Sequence, residues 1–466
     1  MSKMQLWKQR FFYGATDMAG NLIWQIVGLY LLFYYTTVVG ISPAFVGTLF
    51  FVVRIIDAFD GVVYGFLIDH THSKYGKARP YFLWFGIPLG ILTMLLFFNP
   101  SFGGNKAFQL AWISIVYTLF SLVYSGANTP ITAILPSLTK DPDERTNLAS
   151  ARMVMTNIGT AVIGAVSLPM VAKLGGKNAE KGWMIWGFFI GLAIIALFLS
   201  SFANLREKDD IVDDVENAPE IKGHLSVKES LKGAVKNKPW VALSVSFILL
   251  QTFWVIRMQT AVYYLTYVFR RADLVGAFNG LVIVAVAGNL SVPLLSKFMK
   301  HRNVMILSLV TFGIGEVIMA VKNIPMLFIG NIVALVAMGA AFSISFVMIA
   351  DTVEYSRSEL HIDEPGILSS VPMVGAKLGM GFGGLVSGWL LSWGGFQASA
   401  KIQGAKAVTA ISTSFVWLPI ILALLIVGIL YVFYQLDEDE ITSAKVAKGS
   451  AEKKVEKADK LDDEGI

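Results

Sequence analysis

The stretch Val52-Val-Arg54-Ile-Ile-Asp57-Ala-Phe-Asp60-Gly61-Val62-Val-Tyr64 decides the fold, because it sets two carboxylates inside an apolar run long enough to cross a bilayer. An acid at the bilayer centre costs at least ~2.5–3.5 kcal/mol even on the most permissive scale, so such residues mark ion or proton pathways. At about 100° per residue, Asp57, Asp60, Gly61 and Tyr64 fall within roughly a 100° arc of one helix face. Val52, Ile55, Phe59 and Val62 then meet lipid or apolar neighbours. The geometry suits a small cation, or a proton shared between the two carboxylates.

The rest of the chain reads the same way. Over 466 residues it is 55% hydrophobic and only 15% charged, with a mean hydropathy of +0.62, far from soluble composition. Runs of the ~20 apolar residues needed to span occur near 10–38, 43–69, 80–99, 107–135, 148–173 and 182–204, then near 239–268, 273–298, 303–322, 325–351, 367–394 and 407–436. That predicts an all-α membrane protein of twelve transmembrane helices in two sets of six: an N-terminal bundle at 1–204 and a C-terminal bundle at 239–436. The polar segment 205–238 reads as a cytoplasmic central loop, and 437–466 as a charged cytoplasmic tail.

Lys3, Lys8 and Arg10, Lys74, Lys77 and Arg79, Lys140 and Arg145, and Lys297, Lys300 and Arg302 share one side of this topology. That side is expected to be cytoplasmic, which puts both termini there and the protein in a bacterial cytoplasmic (inner) membrane. The opposite loops also carry basic residues, at Lys173, Lys177, Lys181, Arg270 and Arg271. The first span holds Asp17, Asn21 and Gln25 and lacks a compact apolar core, so no cleaved signal peptide is expected. There is no cysteine, which excludes disulfides, thiolate chemistry and cysteine-ligated metals. Short basic hairpins join spans two and three and spans eight and nine, an internal echo that suits the major facilitator architecture with its midplane site between two bundles.

Tyr13-Gly14, Phe33-Tyr-Tyr-Thr-Thr-Val-Val-Gly40, Val46-Gly-Thr-Leu-Phe, Arg54-Ile-Ile-Asp57-Ala, Lys74-Tyr-Gly-Lys-Ala-Arg-Pro80, Ala350-Asp-Thr-Val-Glu-Tyr355 and Lys377 occur in that order. Together they resemble the glycoside–pentoside–hexuronide:cation symporter family, to which the melibiose carrier belongs, from about residue 7 to about 435. The resemblance implies a sugar symporter coupled to H+ or Na+, needing no cofactor beyond that ion. It implies a cation site at Asp57 with Ser125 contributing a hydroxyl; the family's second acid, four residues on, is replaced here by Gly61, with Asp60 one residue earlier. It also implies a sugar site at Asn21 and Asn128, where the melibiose carrier has aspartates, and at Arg152. These amides are nearer the glucuronide and pentoside branch, and a site with Arg152 and Lys377 nearby has room for an anionic sugar. All five histidines sit in loops or at span ends, so a proton relay would use carboxylates.

From the residues themselves, Asp17, Trp24 and Gln25 lie near the Asn21 face of span one, and Ser121, Tyr124, Ser125, Asn128 and Thr132 form a polar stripe on span four. Lys377, in the middle of span eleven, cannot reach an interface and must pair inside the protein. Arg257 on span seven reads either as a substrate ligand or as the partner of an acid on span one, and Glu316 as a structural residue with no evident partner. Each site residue also has a plain reading: Asp57 paired with Arg54, Asp60 and the two asparagines as interhelical hydrogen-bond partners. Asp69 with Lys77 and Arg79, Asp141 with Arg145, and Asp351 with Glu354 and Arg357 read as gating salt bridges or as solvated loop charge. The glycines of span eleven read as close packing or a hinge.

No phosphate-binding loop, metalloprotease motif or nucleophile elbow occurs, so pumping by ATP hydrolysis and enzymatic chemistry are not expected. The net charge of +5 reflects topology, not nucleic acid. The expected partners are a small sugar or glycoside, a coupling cation and the bilayer, with the protein a monomer. A carrier of lysolipids or other amphiphiles on the same fold is the alternative.

Overall fold

The structure, a computed structural model, describes residues 3–207, 234–358 and 365–436. All regular structure among them is helical. In chain order the long stretches are α1 (Lys3–Ile26, running on through π-type turns at Val27–Leu31 and Tyr34–Val38), α2 (Pro43–Asp69), α3 (Pro80–Leu96), α4 (Lys106–Ala133), α5 (Pro142–Gly175) and α6 (Ala179–Asn204). Then come α7 (Lys238–Val268), α8 (Ala272–Leu295), α9 (His301–Ala320), α10 (Ile324–Ser358), α11 (Pro365–Trp393) and α12 (Ala405–Phe433). The expected charged tail at 437–466, and most of the expected central loop at 205–238, lie outside the described residues.

Nine of these stretches, α4 to α12, are long and apolar enough to cross a membrane among the described residues. The 17-residue α3 is apolar but short, and α1 and α2, which have the length, carry polar and charged groups of the site, among them Asp17, Arg54, Asp57 and Asp60. Prolines open α2 and α3 where a missing N–H does no harm. Asn105, Asn178 and Asn237 cap α4, α6 and α7 by accepting from backbone N–H groups of the first turn. Val52, Ile55 and Phe59 are exposed on the outer face of α2, as their spacing requires.

Each set of helices packs mainly on itself: α1 on α5, α3 on α6, α9 on α10, α7 on α11 and α12. The halves meet where α2 lies against α11 and α5 against α8. The glycines of α11 make this seam possible. Gly381 and Gly384 face Arg54 and Phe50 of α2, while Gly375, Gly379 and Gly383 face Ile248 and Thr252 of α7. At Gly47 of α2 a Cβ would come within 2.8 Å of the Gly384 carbonyl oxygen, closer than real contacts allow. The glycine run of α11 is therefore a packing surface on two sides.

The two halves also repeat a backbone detail. The π turn Tyr34–Val38 ends α1 and the π turn Tyr264–Val268 ends α7. Each closes with the same hydrogen bonds, Val39 N–H to Tyr34 O and Phe269 N–H to Tyr264 O at 3.0 and 3.1 Å. Each is followed by a residue of positive φ, Gly40 at 81° and Arg270 at 57°.

Hydrogen bonds between the halves cluster toward this end of the molecule. Thr36 Oγ1 and Tyr263 Oη lie 2.5 Å apart, Asn279 Nδ2 donates to Tyr30 Oη at 3.1 Å, and Trp389 Nε1 donates to Thr48 Oγ1 at 3.1 Å. At the opposite end, three side-chain bonds among the described residues each close within one half. Arg10 pairs with Glu144 at 2.5 Å, Asn237 bonds Ser356 at 2.6 Å, and Arg302 donates to the Tyr434 carbonyl at 3.3 Å. The halves are thus joined at one end and, among the described residues, separately braced at the other.

Candidate functional site

The middle layer holds four ion pairs around a central cavity. On α2, Asp57 and Asp60 are 2% and 5% exposed, so the face that the sequence assigns to the interior does turn inward. Arg54 Nη1 donates to Asp57 Oδ2 at 2.7 Å, and the Ser121 hydroxyl of α4 bridges both Asp57 oxygens at 2.6 and 2.7 Å. Lys377 reaches across from α11: its Nζ donates to the Asp57 carbonyl at 2.6 Å and to Asp60 Oδ1 at 3.0 Å. Asp60 Oδ2 is buried without a hydrogen-bond partner. A carboxylate oxygen left unsatisfied in a dry setting is costly, and it marks the place where a proton or small cation is wanted.

Ser125, one turn beyond Ser121, is not among the partners of Asp57 in the described residues; its carbonyl accepts from Thr129 Oγ1 at 2.8 Å. The hydroxyl beside Asp57 thus comes from Ser121, because α4 crosses α2 one turn earlier than the resemblance implies.

The second cluster joins α1 to α5. Arg152 Nε lies 3.2 Å from Asp17 Oδ2, and Thr156 donates its hydroxyl to the same carboxylate. Asn21 Nδ2 donates to the Asp17 carbonyl at 3.0 Å, and Arg152 also reaches Thr132 at 3.3 Å. Asn128 faces Gly20 of α1 across the α1–α4 contact. Trp24 stacks on Tyr124 with ring centroids 5.9 Å apart, and Arg54 sits over Trp24 at 4.6 Å. Trp24 and Arg54 thereby connect Asp57 to the cavity.

The cavity has two lobes that share Trp24 and Met258. The larger, about 80 Å³, is lined by Gln25, Thr160, Trp254, Arg257, Asn279 and Asn331 among others; the smaller, about 40 Å³, by Arg54, Tyr117 and Gln259. Both exceed the ~10–15 Å³ that one water requires, so each has room for more than one water. Gln259 Oε1 is buried and unpartnered at the smaller lobe.

Arg257 needs a correction. No acid on α1 pairs with it. Its Nε donates to Glu316 Oε1 of α9 at 2.5 Å and its Nη2 to Asn331 Oδ1 of α10 at 2.8 Å. Glu316, read from sequence as lacking a partner, is 0% exposed and is the counter-charge of Arg257. Sequence spacing offers no signal for such a pair, since α7 and α9 meet only after the bundle has closed.

The expected gate pairs are also rearranged. Asp351 is buried against His301 at 2.6 Å instead of an arginine. Asp141 caps α5 by accepting from Asp143 N–H at 3.0 Å, while Arg145 Nε donates to the Thr139 carbonyl at 2.9 Å. Asp69 is exposed, with no ion pair among the described residues. Arg79 Nε donates to the Phe202 carbonyl at 2.8 Å, and the backbone N–H groups of Lys77, Ala78 and Arg79 donate to the Glu207 carboxylate at 3.0, 2.8 and 2.6 Å. That acid at the start of the central segment, which sequence reasoning missed, caps α3 through the favourable end of its dipole. No bond is recorded for the Glu354 side chain.

A helical bundle in two halves, with paired charges buried at its middle layer, is the architecture of a secondary transporter. The chain belongs to the major facilitator sugar:cation symporters, matching the family described as MFS/sugar transport protein over residues 12–438. It is 36% identical to the isoprimeverose transporter of Lactiplantibacillus pentosus, over 93% of this chain and 90% of that one. A putative glycoside/cation symporter of Escherichia coli is 28% identical over 89% of each chain, and the glucuronide carrier protein homolog of the same organism 25% identical over 94% of each. Among solved structures, an inward-facing bacterial homologue of the lysosomal transporter Spinster superposes with a TM-score of 0.67 at 15% identity, over 93% of this chain and 97% of that chain, a likeness of fold. The protein is a multi-pass membrane sugar symporter and not an enzyme, coupled to a cation and needing no cofactor.

Proposed function

We propose that the protein carries a glycoside inward together with H+ or Na+, by alternating access across twelve membrane crossings in a bacterial cytoplasmic membrane, with both termini in the cytoplasm. Asp57 and Asp60 bind the coupling ion; Asp17, Asn21, Trp24, Gln25, Tyr124, Asn128, Arg152 and Arg257 form the substrate site. The observation that carries this reading is the Lys377–Asp60 pair at 3.0 Å, a bond from one half to the cation site of the other. A cation arriving at Asp60 takes the place of the Lys377 ammonium and so alters the tie between the halves. Arg54, shared between Asp57 and the face of Trp24, passes the same event to the cavity.

The joined end supports this reading: with the termini inside it is the outer one, as an inward-facing state requires. Linkage then requires that sugar and cation tighten each other's binding by equal factors. Uptake into proteoliposomes tests the reading: a panel of xylosides, galactosides and glucosides is offered under an imposed proton or sodium gradient. Uphill accumulation of one class with one ion is expected. Equal uptake with and without every gradient would refute symport by these residues.

A further inference from the structure

We infer that the carried solute is an uncharged glycoside and not a uronide or other acidic sugar, because the cations placed to read it are already neutralised by carboxylates of the chain. The inference rests on the glycoside-symport reading above and names its substrate class. Four basic side chains stand in the middle layer of the described residues, and each has its own acid. Arg152 lies 3.2 Å from Asp17 and Arg257 2.5 Å from Glu316. Arg54 lies 2.7 Å from Asp57 and Lys377 3.0 Å from Asp60. The last two pairs belong to the proposed cation site, which leaves Arg257, in the lining of the larger lobe, and Arg152, in the cluster between α1 and α5, to meet the sugar.

Neither has charge to spare. Two of the three guanidinium nitrogens of Arg257 are held by Glu316 Oε1 and Asn331 Oδ1, so a hydroxyl can still accept from the third without displacing either. A sugar carboxylate at the same place would instead sit beside Glu316, which is 0% exposed and has one oxygen, Oε2, already without a partner. Two carboxylates sharing one buried guanidinium repel across a low-dielectric gap. Asp17 imposes the same condition at Arg152. Apart from Arg54, which is held by Asp57, the remaining polar lining includes the uncharged groups Gln25, Asn279, Asn331, Thr160 and Gln259, which donate to and accept from hydroxyls without preferring an anion. The sequence suggested that Arg152 and Lys377 leave room for an acid; their partners fill it.

The test uses the full-length protein in proteoliposomes at a saturating coupling gradient. Methyl β-glucoside and methyl β-glucuronide, which differ only in CH2OH against carboxylate at C6, compete for uptake of whichever labelled glycoside the carrier accumulates. The glucoside is expected to inhibit at least about tenfold more strongly, a difference of about 1.4 kcal/mol. In Glu316→Gln, which frees the charge of Arg257 while keeping its shape, the ratio is expected to move toward the glucuronide by threefold or more. A merely structural role for Glu316 would weaken both sugars alike and leave the ratio fixed. Equal or stronger inhibition by the glucuronide in the wild type overturns the inference while leaving symport intact. Gradient-independent uptake, or none of any glycoside, refutes the symport reading and this inference with it.

Discussion

Replacing Lys377 with Met isolates the contact that joins the halves at the cation site. The ammonium lies 3.0 Å from Asp60 Oδ1. At an effective dielectric of about 20 that attraction is on the order of 5 kcal/mol before desolvation is counted. The Lys377 side chain is 36% exposed, so water screens it and the net contribution falls to about 1–2 kcal/mol. Methionine keeps the length of the chain and removes the charge. The cation-free protein should therefore lose about 1–2 kcal/mol, and the cation should bind roughly five- to thirtyfold tighter because it no longer competes with an ammonium. Thermal unfolding in detergent, recorded against sodium concentration and against pH, reads both quantities, since an ion that binds only the folded state stabilises it by RT ln(1 + c/Kd) at ion concentration c, so the concentration at which the melting temperature begins to rise reports its affinity. The variant should start lower and gain more on adding the ion. An unchanged or weakened ion midpoint would refute the argument that Lys377 and the cation compete for Asp60.

Three further predictions follow the same geometry. Asp57→Asn should abolish uphill accumulation while leaving downhill exchange measurable, and normal accumulation by that variant would remove Asp57 from the coupling step. Ser121→Ala should weaken ion-dependent uptake by about tenfold or more, because it deletes bonds of 2.6 and 2.7 Å to a buried carboxylate, whereas Ser125→Ala should change it less than about twofold; the reverse order would restore Ser125 to the site. Gly47→Ala should loosen the joined end by about 1–3 kcal/mol, since its Cβ meets the Gly384 carbonyl at 2.8 Å. A single cysteine in place of Met258 in this otherwise cysteine-free chain then reports access from each side, and an unaltered labelling pattern would contradict the account of the seam.

What sequence disclosed and what it withheld divide along physical lines. The inward face of α2 was legible because two acids in an apolar run leave the chain no alternative orientation, and Lys377 had to pair inside for the same reason. Asp57 and Lys377 also belong to motifs that carry the family resemblance. The partners of Arg257 and Asp351 were not legible, because each is fixed by which helices come to lie side by side, and periodicity within one helix carries no such information. Ser121 in place of Ser125 is the same failure on a smaller scale: the stripe on α4 was visible, but the level at which α2 crosses it was not. The strongest internal repeat was missed for a different reason. Tyr34–Val38 and Tyr264–Val268 share few residues beyond tyrosine, threonine and valine, and their likeness lies in backbone hydrogen bonding.

The glycine surfaces of α11 bear on how the machine moves. Most helices in this bundle are keyed to their neighbours by interlocked side chains, and shifting one means unlocking a row of teeth. Along its glycine lines α11 has no teeth: Gly381 and Gly384 present bare backbone to α2, and Gly375, Gly379 and Gly383 present it to α7. Such a helix is a plain bearing between the two halves, able to travel along its length with few rotamers to rearrange. Lys377 rides on that bearing. A slide of one or two ångströms is enough to stretch a 3.0 Å ion pair past useful contact. On the proposed reading of Asp60 as a cation ligand, the displacement of one ammonium group alters the contact of α11 with α2, and with it the tie between the halves.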